Sequence, residues 1–318
     1  MKLVIQIPCW NEDRTLGEMI ASLPRELEGV DQIEVLVVDD GSSDRSVEVA
    51  KEAGAHHVVR MPRHVGLASA FSAGVEAAID RDADILVNTD ADMQYPSEHI
   101  QDLIRPVVAG EADMAIGDRL DFKPRPFSLY KMFLERLGTL FVRIFSGLPV
   151  RDAASGFRAF SKDALEAMFI HGRFSYTLES LILAGMHRFR LANVPIRINS
   201  PRRRSRLFKS VPTYIVQSSV AVIRAYLMYH PLKFFVGVGS VFLAAALLLG
   251  IRSLVFVSMG QGQGHIQSLI LMAILAFMGF QTIILGLIGD VLSANRRLLE
   301  RIRIAHVRGG SEQNDTRA

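Results

Sequence analysis

Asp90 and Asp92 stand two residues apart, with Gln94 two further on, in Asp90-Ala91-Asp92-Met93-Gln94-Tyr95-Pro96. On an extended segment alternate residues point the same way, so both carboxylates and the amide would share one face. Hard oxygen donors of this kind suit Mg²⁺ or Mn²⁺, held through one or two carboxylates together with substrate phosphates. Two more acidic clusters come earlier, in Pro8-Cys9-Trp10-Asn11-Glu12 and Val38-Asp39-Asp40-Gly41-Ser42-Ser43-Asp44. Asp44 reads best as a helix cap. Acids repeated at three such places are costly unless they meet a cation or a polar ligand.

Each cluster follows a short apolar run, at residues 3–7, 34–38 and 85–88, and residues 58–61 and 114–116 read as further strands. Helical spacing lies between them: residues 15–23; 44–53, capped by Ser43 or Asp44; 67–79, with Leu67, Phe71, Val75 and Ala78 on one face; and 97–108, with Ser97 as N-cap. Alternation of strand and helix predicts a mostly parallel sheet wound with helices, whose ligand sits beyond the carboxyl ends of the strands. The first strand ends without Gly-x-Gly-x-x-Gly, which argues against NAD.

The 318 residues allow two domains, and 49% hydrophobic with 22% charged residues excludes a disordered chain. One cysteine, Cys9, excludes a disulfide framework and a cysteine-built zinc site. Residues 1–179 carry 29 acidic against 19 basic side chains, whereas 180–289 carry 11 basic and no acidic ones. Residues 234–251 and 266–289 are free of charge, and a bilayer-spanning helix needs about 20 such residues. The short linker 258–264 makes them an antiparallel hairpin. Arg252 either snorkels to the interface or is included in a first span reaching about Val257. Basic residues crowd the outer ends: Arg202, Arg203, Arg204, Arg206, Lys209, Arg224 and Lys233 before, Arg296, Arg297, Arg301 and Arg303 after. By the positive-inside rule both termini are cytoplasmic, and the N-terminus lacks an apolar signal core. The expected organisation is a cytoplasmic domain at 1–200, a basic flap and juxtamembrane amphipathic helix at 201–231, a membrane hairpin at 232–292 and a basic tail at 293–318, disordered at its end.

With these motifs in view the chain resembles an inverting family-two glycosyltransferase. Within that family it is similar to the polyprenyl-phosphate glycosyltransferases of the dolichyl-phosphate mannose synthase type. The resemblance rests on residues 37–44 combined with 90–96, and on Asp152-Ala153-Ala154-Ser155-Gly156-Phe157-Arg158. It implies an α/β, Rossmann-like, mostly parallel sheet of the nucleotide-sugar-binding A-type glycosyltransferase fold, followed by two transmembrane helices. It further implies that Pro8, Trp10 and Glu12 line the nucleoside pocket and that Asp40 holds base or ribose. Asp90 and Ala91 would lie against ribose and diphosphate, Asp92 and Gln94 would ligate the metal, and Arg206 and Lys209 would close over the diphosphate. Arg119 would face the acceptor phosphate, with Lys131 or Arg136 as its second basic residue. Cys9-Trp10 departs from the residues usual after the proline. His64 stands where an asparagine is common, either as a substitute contact or as an ordinary loop histidine.

The activity implied is metal-dependent, inverting transfer of one sugar from a nucleotide-diphosphate sugar to a polyprenyl phosphate, for cell-envelope glycan synthesis. A phosphate acceptor is already anionic and needs a cationic seat, while a hydroxyl would need a general base. Ser180 stands after Glu179 where base-using relatives often carry Asp, which favours phosphate. Transfer to a lipid or glycan hydroxyl is the alternative. A processive synthase is disfavoured because the only tryptophan is Trp10, so its Gln-x-x-Arg-Trp pattern is missing. The basic segment 202–209 reads as a membrane-lipid patch or a diphosphate clamp; without interleaved aromatics it does not read as a nucleic-acid site. A homo-oligomer is compatible with all of this.

Overall fold

The computed structural model describes residues 1–119, 138–140, 142–168, 176–199, 220, 223–224, 226–227, 230–260 and 266–315, without the side chains of 296, 297 and 300–315. Most of the expected flap and juxtamembrane helix, and most of the hairpin linker, lie outside the described residues. The chain divides into two compact units, Met1–Ile223 with Ile304–Ala318, and Arg224–Arg303.

The first unit is built on seven strands: β1 (Lys2–Cys9), β2 (Gln32–Asp39), β3 (His57–Arg60), β4 (Ile85–Asn88), β5 (Met114–Asp118), β6 (Arg158–Ser161) and β7 (Leu191–Pro195). Their order across the sheet is β3-β2-β1-β4-β6-β5-β7. All neighbours run parallel except β6, which is antiparallel to both β4 and β5. In β1 residues 3–9 are all buried, the unbroken burial expected of a strand covered on both faces. Among the helices that flank the strands are α1 (Leu16–Ser22), α2 (Ser46–Glu52), α3 (Leu67–Ile79), α4 (Ile100–Val108), α5 (Lys162–Ala167) and α6 (Tyr176–Met186). Helix α3 lies tight on β1 at Gly74, where a methyl would come within 2.4 Å of the Gln6 amide carbon. That buried amide donates from Nε2 to the Phe71 carbonyl at 3.2 Å.

The strand order reverses between β1 and β4, the place where open α/β sheets open a crevice at the carboxyl edge. Residues 10–15, 40–45, 89–96 and 119 all follow strands that end there. Because β6 is antiparallel, its entry loop, residues 151–157, arrives at the same edge. The pattern at 114–116 ends without hinting at this strand.

Local details differ from the sequence pattern in two places. Ser97 opens a single 3₁₀ turn, Ser97–His99, rather than capping α4. Its hydroxyl instead donates to the Ser22 carbonyl at 2.6 Å. Helix α2 begins at Ser46, but Asp44 does cap-like work: Oδ1 accepts from the Ser46 backbone N–H at 3.0 Å and from its hydroxyl at 2.6 Å. Partial burial would raise the Asp44 carboxyl, but these bonds and one from the Asp13 backbone hold it below its ordinary range. The C-terminal tail is helical as far as Asp315, and residues 316–318 lie outside the described residues. Once a span has nucleated a helix, good helix formers such as those at 295–305 extend it at little cost.

The second unit contains the two long helices, α7 (Pro231–Ser258) and the first part of α8 (Ile266–Asp315). Pro231 stands at the first turn of α7, where its missing N–H costs nothing. The 28 residues of α7 and the 30 of Ile266–Asn295 are long and apolar enough to cross a membrane. Helix α7 runs through Arg252, whose guanidinium lies 5.5 Å from the centre of the Phe256 ring. The helices meet backbone to backbone at Gly239 and Gly279; a methyl at 239 would come within 2.8 Å of the Gly279 carbonyl oxygen. Small residues at such a seam are how helices pack when lipid supplies no hydrophobic drive.

Candidate active site

The loops after β1 and β2 interlock. The Asn11 N–H donates to the Ser42 hydroxyl at 2.9 Å, the Ser43 N–H returns to Asn11 Oδ1 at 2.9 Å, and the Glu12 N–H donates to the Ser46 hydroxyl at 2.8 Å. Asn11 holds a left-handed backbone, φ 54°. Pro8 is buried beneath this loop and Glu12 is half-buried. Trp10 stays 36% exposed, and its ring stacks on His64 with centroids 4.0 Å apart and planes 16° from parallel.

Asp40 is nearly inaccessible, and both its oxygens are occupied by the loop before α3. Oδ1 accepts from the Val65 N–H at 2.8 Å; Oδ2 accepts from the Gly66 N–H at 2.8 Å and lies 2.8 Å from His64 Nδ1. Asp40 therefore shapes the Trp10–His64 platform, a job its sequence position did not reveal. His64 is anchored by this carboxylate, not loose in its loop. Asp39 is fully buried and accepts from the Ser42 N–H at 3.0 Å.

The loop after β4 corrects the extended geometry expected for Asp90 to Gln94. Ala91 and Asp92 sit in a turn, and Met93 is left-handed at φ 62°. The turn closes through Asp92 Oδ1, which accepts the Gln94 N–H at 3.1 Å. Such Asx geometry is what aspartate offers a loop in place of a ladder. Burial, and then the charge of Asp92, push the Asp90 carboxyl up to about 7, with Arg119 opposing and Glu12 adding to the rise. Asp90, Asp92, Glu12 and Arg119 thus come together electrostatically, from three different loops.

The residue types at this turn fit a divalent cation in a limited sense. Among the described residues no three His, Cys, Asp or Glu side chains form a cage of their own. Protein ligands would be few, Asp92 and Gln94, with phosphate oxygens and water completing the shell, which is the habit of Mg²⁺. A cation there would also relieve the mutual repulsion of Asp90 and Asp92.

Arg119 does not simply project into open space. Its Nε donates to Asp152 Oδ2 at 2.6 Å and its Nη2 to Asp152 Oδ1 at 2.9 Å, a two-pronged pair with Arg119 12% and Asp152 4% exposed. Next to it Arg151 Nε lies 3.0 Å from Asp118 Oδ2. Asp118-Arg119 and Arg151-Asp152 are thus complementary dipeptides, a signal visible in the sequence but unread. The Asp152 loop is itself held from inside by fully buried Arg158. Its guanidinium donates to the carbonyls of Ser155 at 2.8 Å, Ala153 at 2.9 Å and Thr177 at 2.7 Å, and to the Ser180 hydroxyl at 2.6 Å. Burial lowers the Arg158 pKa to about 10, still well above neutrality. Ser180 is thus buried against Arg158, a structural role that its sequence position did not reveal. Asn88 Nδ2 bonds the Gly156 carbonyl at 2.9 Å and the Tyr176 hydroxyl at 3.0 Å, tying β4 to the same loop. Lys131, Arg136, Arg206 and Lys209 lie outside the described residues.

An α/β sheet with acids and a paired arginine along its carboxyl edge is suited to a polar, charged ligand. Residues 4–169 match the family described as glycosyl transferase family 2. The chain belongs to that family and is a glycosyltransferase. It is 33% identical over 177 residues to the dolichol-phosphate mannosyltransferase of Pyrococcus furiosus, covering 53% of this chain and 48% of that one. It is 27% identical over 215 residues to the UDP-N-acetylglucosamine–dolichyl-phosphate N-acetylglucosaminyltransferase of Methanococcus voltae, covering 60% and 83%. Among solved structures, glucosyl-3-phosphoglycerate synthase from Mycobacterium tuberculosis, with Mn²⁺, UDP and glucosyl-3-phosphoglycerate bound, superposes with a TM-score of 0.55 at 22% identity. That likeness covers 71% of this chain and 78% of the other, and it concerns the fold.

Proposed function

We propose that this chain transfers a single sugar from a nucleotide-diphosphate sugar to a polyprenyl phosphate, with inversion, at the cytoplasmic face of the cell membrane. The observation that carries it is one chain joining a family-two sugar-transfer site to two helices long and apolar enough to span a bilayer. An acceptor that lives in the membrane explains why the site is tethered there, and the relatives named above act on dolichyl phosphate. Those two relatives transfer different sugars, so the donor is left to experiment.

In this reading the Trp10–His64 platform and Glu12 receive the nucleoside, with Asp40 fixing the platform from below. Asp90 and Ala91 lie along ribose and diphosphate, and Asp92 and Gln94 hold Mg²⁺ or Mn²⁺. The bound cation would act as a Lewis acid on the departing diphosphate. Arg119, aimed by Asp152 and within electrostatic reach of Asp90, faces the acceptor phosphate, supplying positive charge where two anions must approach. Lys131, Arg206 and Lys209 are assigned by resemblance as further phosphate contacts.

Purified protein in detergent, given Mn²⁺ and a panel of nucleotide sugars, should glycosylate polyprenyl phosphate and leave polyprenol untouched, as read by mass spectrometry. Polyprenol glycosylated as fast as its phosphate would move the acceptor to the hydroxyl class. Reporter fusions at Ala318 and near Gln261 should give opposite compartments, with Ala318 inside. An external C-terminus would overturn the orientation and the cytoplasmic donor with it.

A further inference from the structure

The chain leaving β7 does not turn away from the site. It crosses the carboxyl edge as a belt tied at four points. The Ile196 N–H donates to the Asp118 carbonyl at 3.0 Å, and the Arg197 N–H to His99 Nε2 at 3.2 Å. The Asn199 N–H then donates to the Gln94 carbonyl at 3.0 Å, and its side-chain Nδ2 to the Met93 carbonyl at 2.9 Å. One residue thus takes both carbonyls of the turn that carries Asp92 and Gln94. Met93 lies between them in the left-handed region, which an unbranched L side chain enters only when its surroundings hold it there. In that conformation the Asp92 carboxylate closes on the Gln94 N–H.

We propose that Asn199 is the positioning residue of the metal turn: by gripping Met93 and Gln94 it holds Asp92 and Gln94 ready for a divalent cation. The proposal rests on the metal role given to those two residues. Asn199 belongs to no acidic motif and lies 106 residues from Met93. Its effect is on readiness, since the carboxamide bonds peptide carbonyls and is assigned no contact with the cation. The belt also fixes where the chain stands as it leaves the strand edge.

The test uses the full chain in detergent with Mn²⁺ as probe, added with UDP or with GDP, and free Mn²⁺ followed by electron paramagnetic resonance. Asn199→Ala should weaken Mn²⁺ binding about three- to tenfold, the loss of one such hydrogen bond. Asn199→Asp, which sets an acceptor oxygen against the Met93 carbonyl, should weaken it at least as much. Nucleotide binding without metal should not change in either variant. Met93→Gly, which adopts a left-handed backbone without help, should recover most of the affinity when combined with Asn199→Ala. Mn²⁺ affinity within twofold of wild type in both single variants would overturn the role of Asn199. So would a double variant no tighter than Asn199→Ala alone. If wild type binds Mn²⁺ no better than Asp92→Ala does, the metal assignment itself falls, and this inference with it.

Discussion

Asp92→Ala is expected to lower sugar transfer at least about a hundredfold at saturating donor and Mn²⁺, equivalent to about 2.7 kcal/mol of transition-state stabilisation. The protein should remain folded and membrane-bound, because Asp92 is half-buried and, among the described residues, its hydrogen bond is local to its turn. Losing that bond should cost about 1 kcal/mol of stability, a small shift in Tm. Asp92→Asn separates the two effects. Asparagine can still accept the Gln94 N–H, so the turn survives, but the negative charge that a cation would meet is gone. Both variants should therefore fail in transfer, and only the alanine should lose stability. Near-normal turnover in the asparagine variant would remove Asp92 from the metal site, whatever the alanine does.

Arg119→Ala should lower transfer to polyprenyl phosphate at least about tenfold, since a charge-assisted hydrogen bond to phosphate contributes roughly 1.5–3 kcal/mol. Nucleotide affinity should change little. The same variant removes the two-pronged partner of the Asp152 carboxylate, 4% exposed, and breaking a buried pair costs up to about 3–5 kcal/mol. A fall in Tm is therefore expected alongside the fall in rate and cannot by itself identify the role. The pair Arg119→Met with Asp152→Leu resolves this, because replacing both members with apolar groups is often neutral for stability. Recovery of Tm without recovery of transfer would mean that the Arg119 charge acts on the acceptor. Recovery of both would make the pair a scaffold. Loss of nucleotide binding in Arg119→Ala would move the residue to the donor side.

Much of this site was legible in the sequence, and the missing part has one cause. The parallel strands announced themselves because burial on both faces demands unbroken apolar runs such as Val35 to Val38. The acids at their ends stood out because charge directly after such a run is costly without a use. The two long helices were readable for the same reason, since the composition that lipid requires is local and needs no partner. Helical spacing placed α3 to the residue, at Leu67–Ile79.

What the tertiary structure alone decided is how those local pieces face one another. The sequence read Asp90 and Asp92 as alternate residues of an extended segment. The folded loop turns instead, with Met93 left-handed, because Asn199 and the Asp92 side chain satisfy its peptide groups. The resemblance set Arg119 against the acceptor phosphate, but only β6, running antiparallel, delivers Asp152 from 33 residues away to pair with it. Ser180, read as the absence of a base, is also the buried partner of Arg158 inside the domain. A side chain's type is written in the sequence, but its charge state and aim depend on neighbours. Those neighbours are chosen by strand direction and sheet order, which no local pattern encodes.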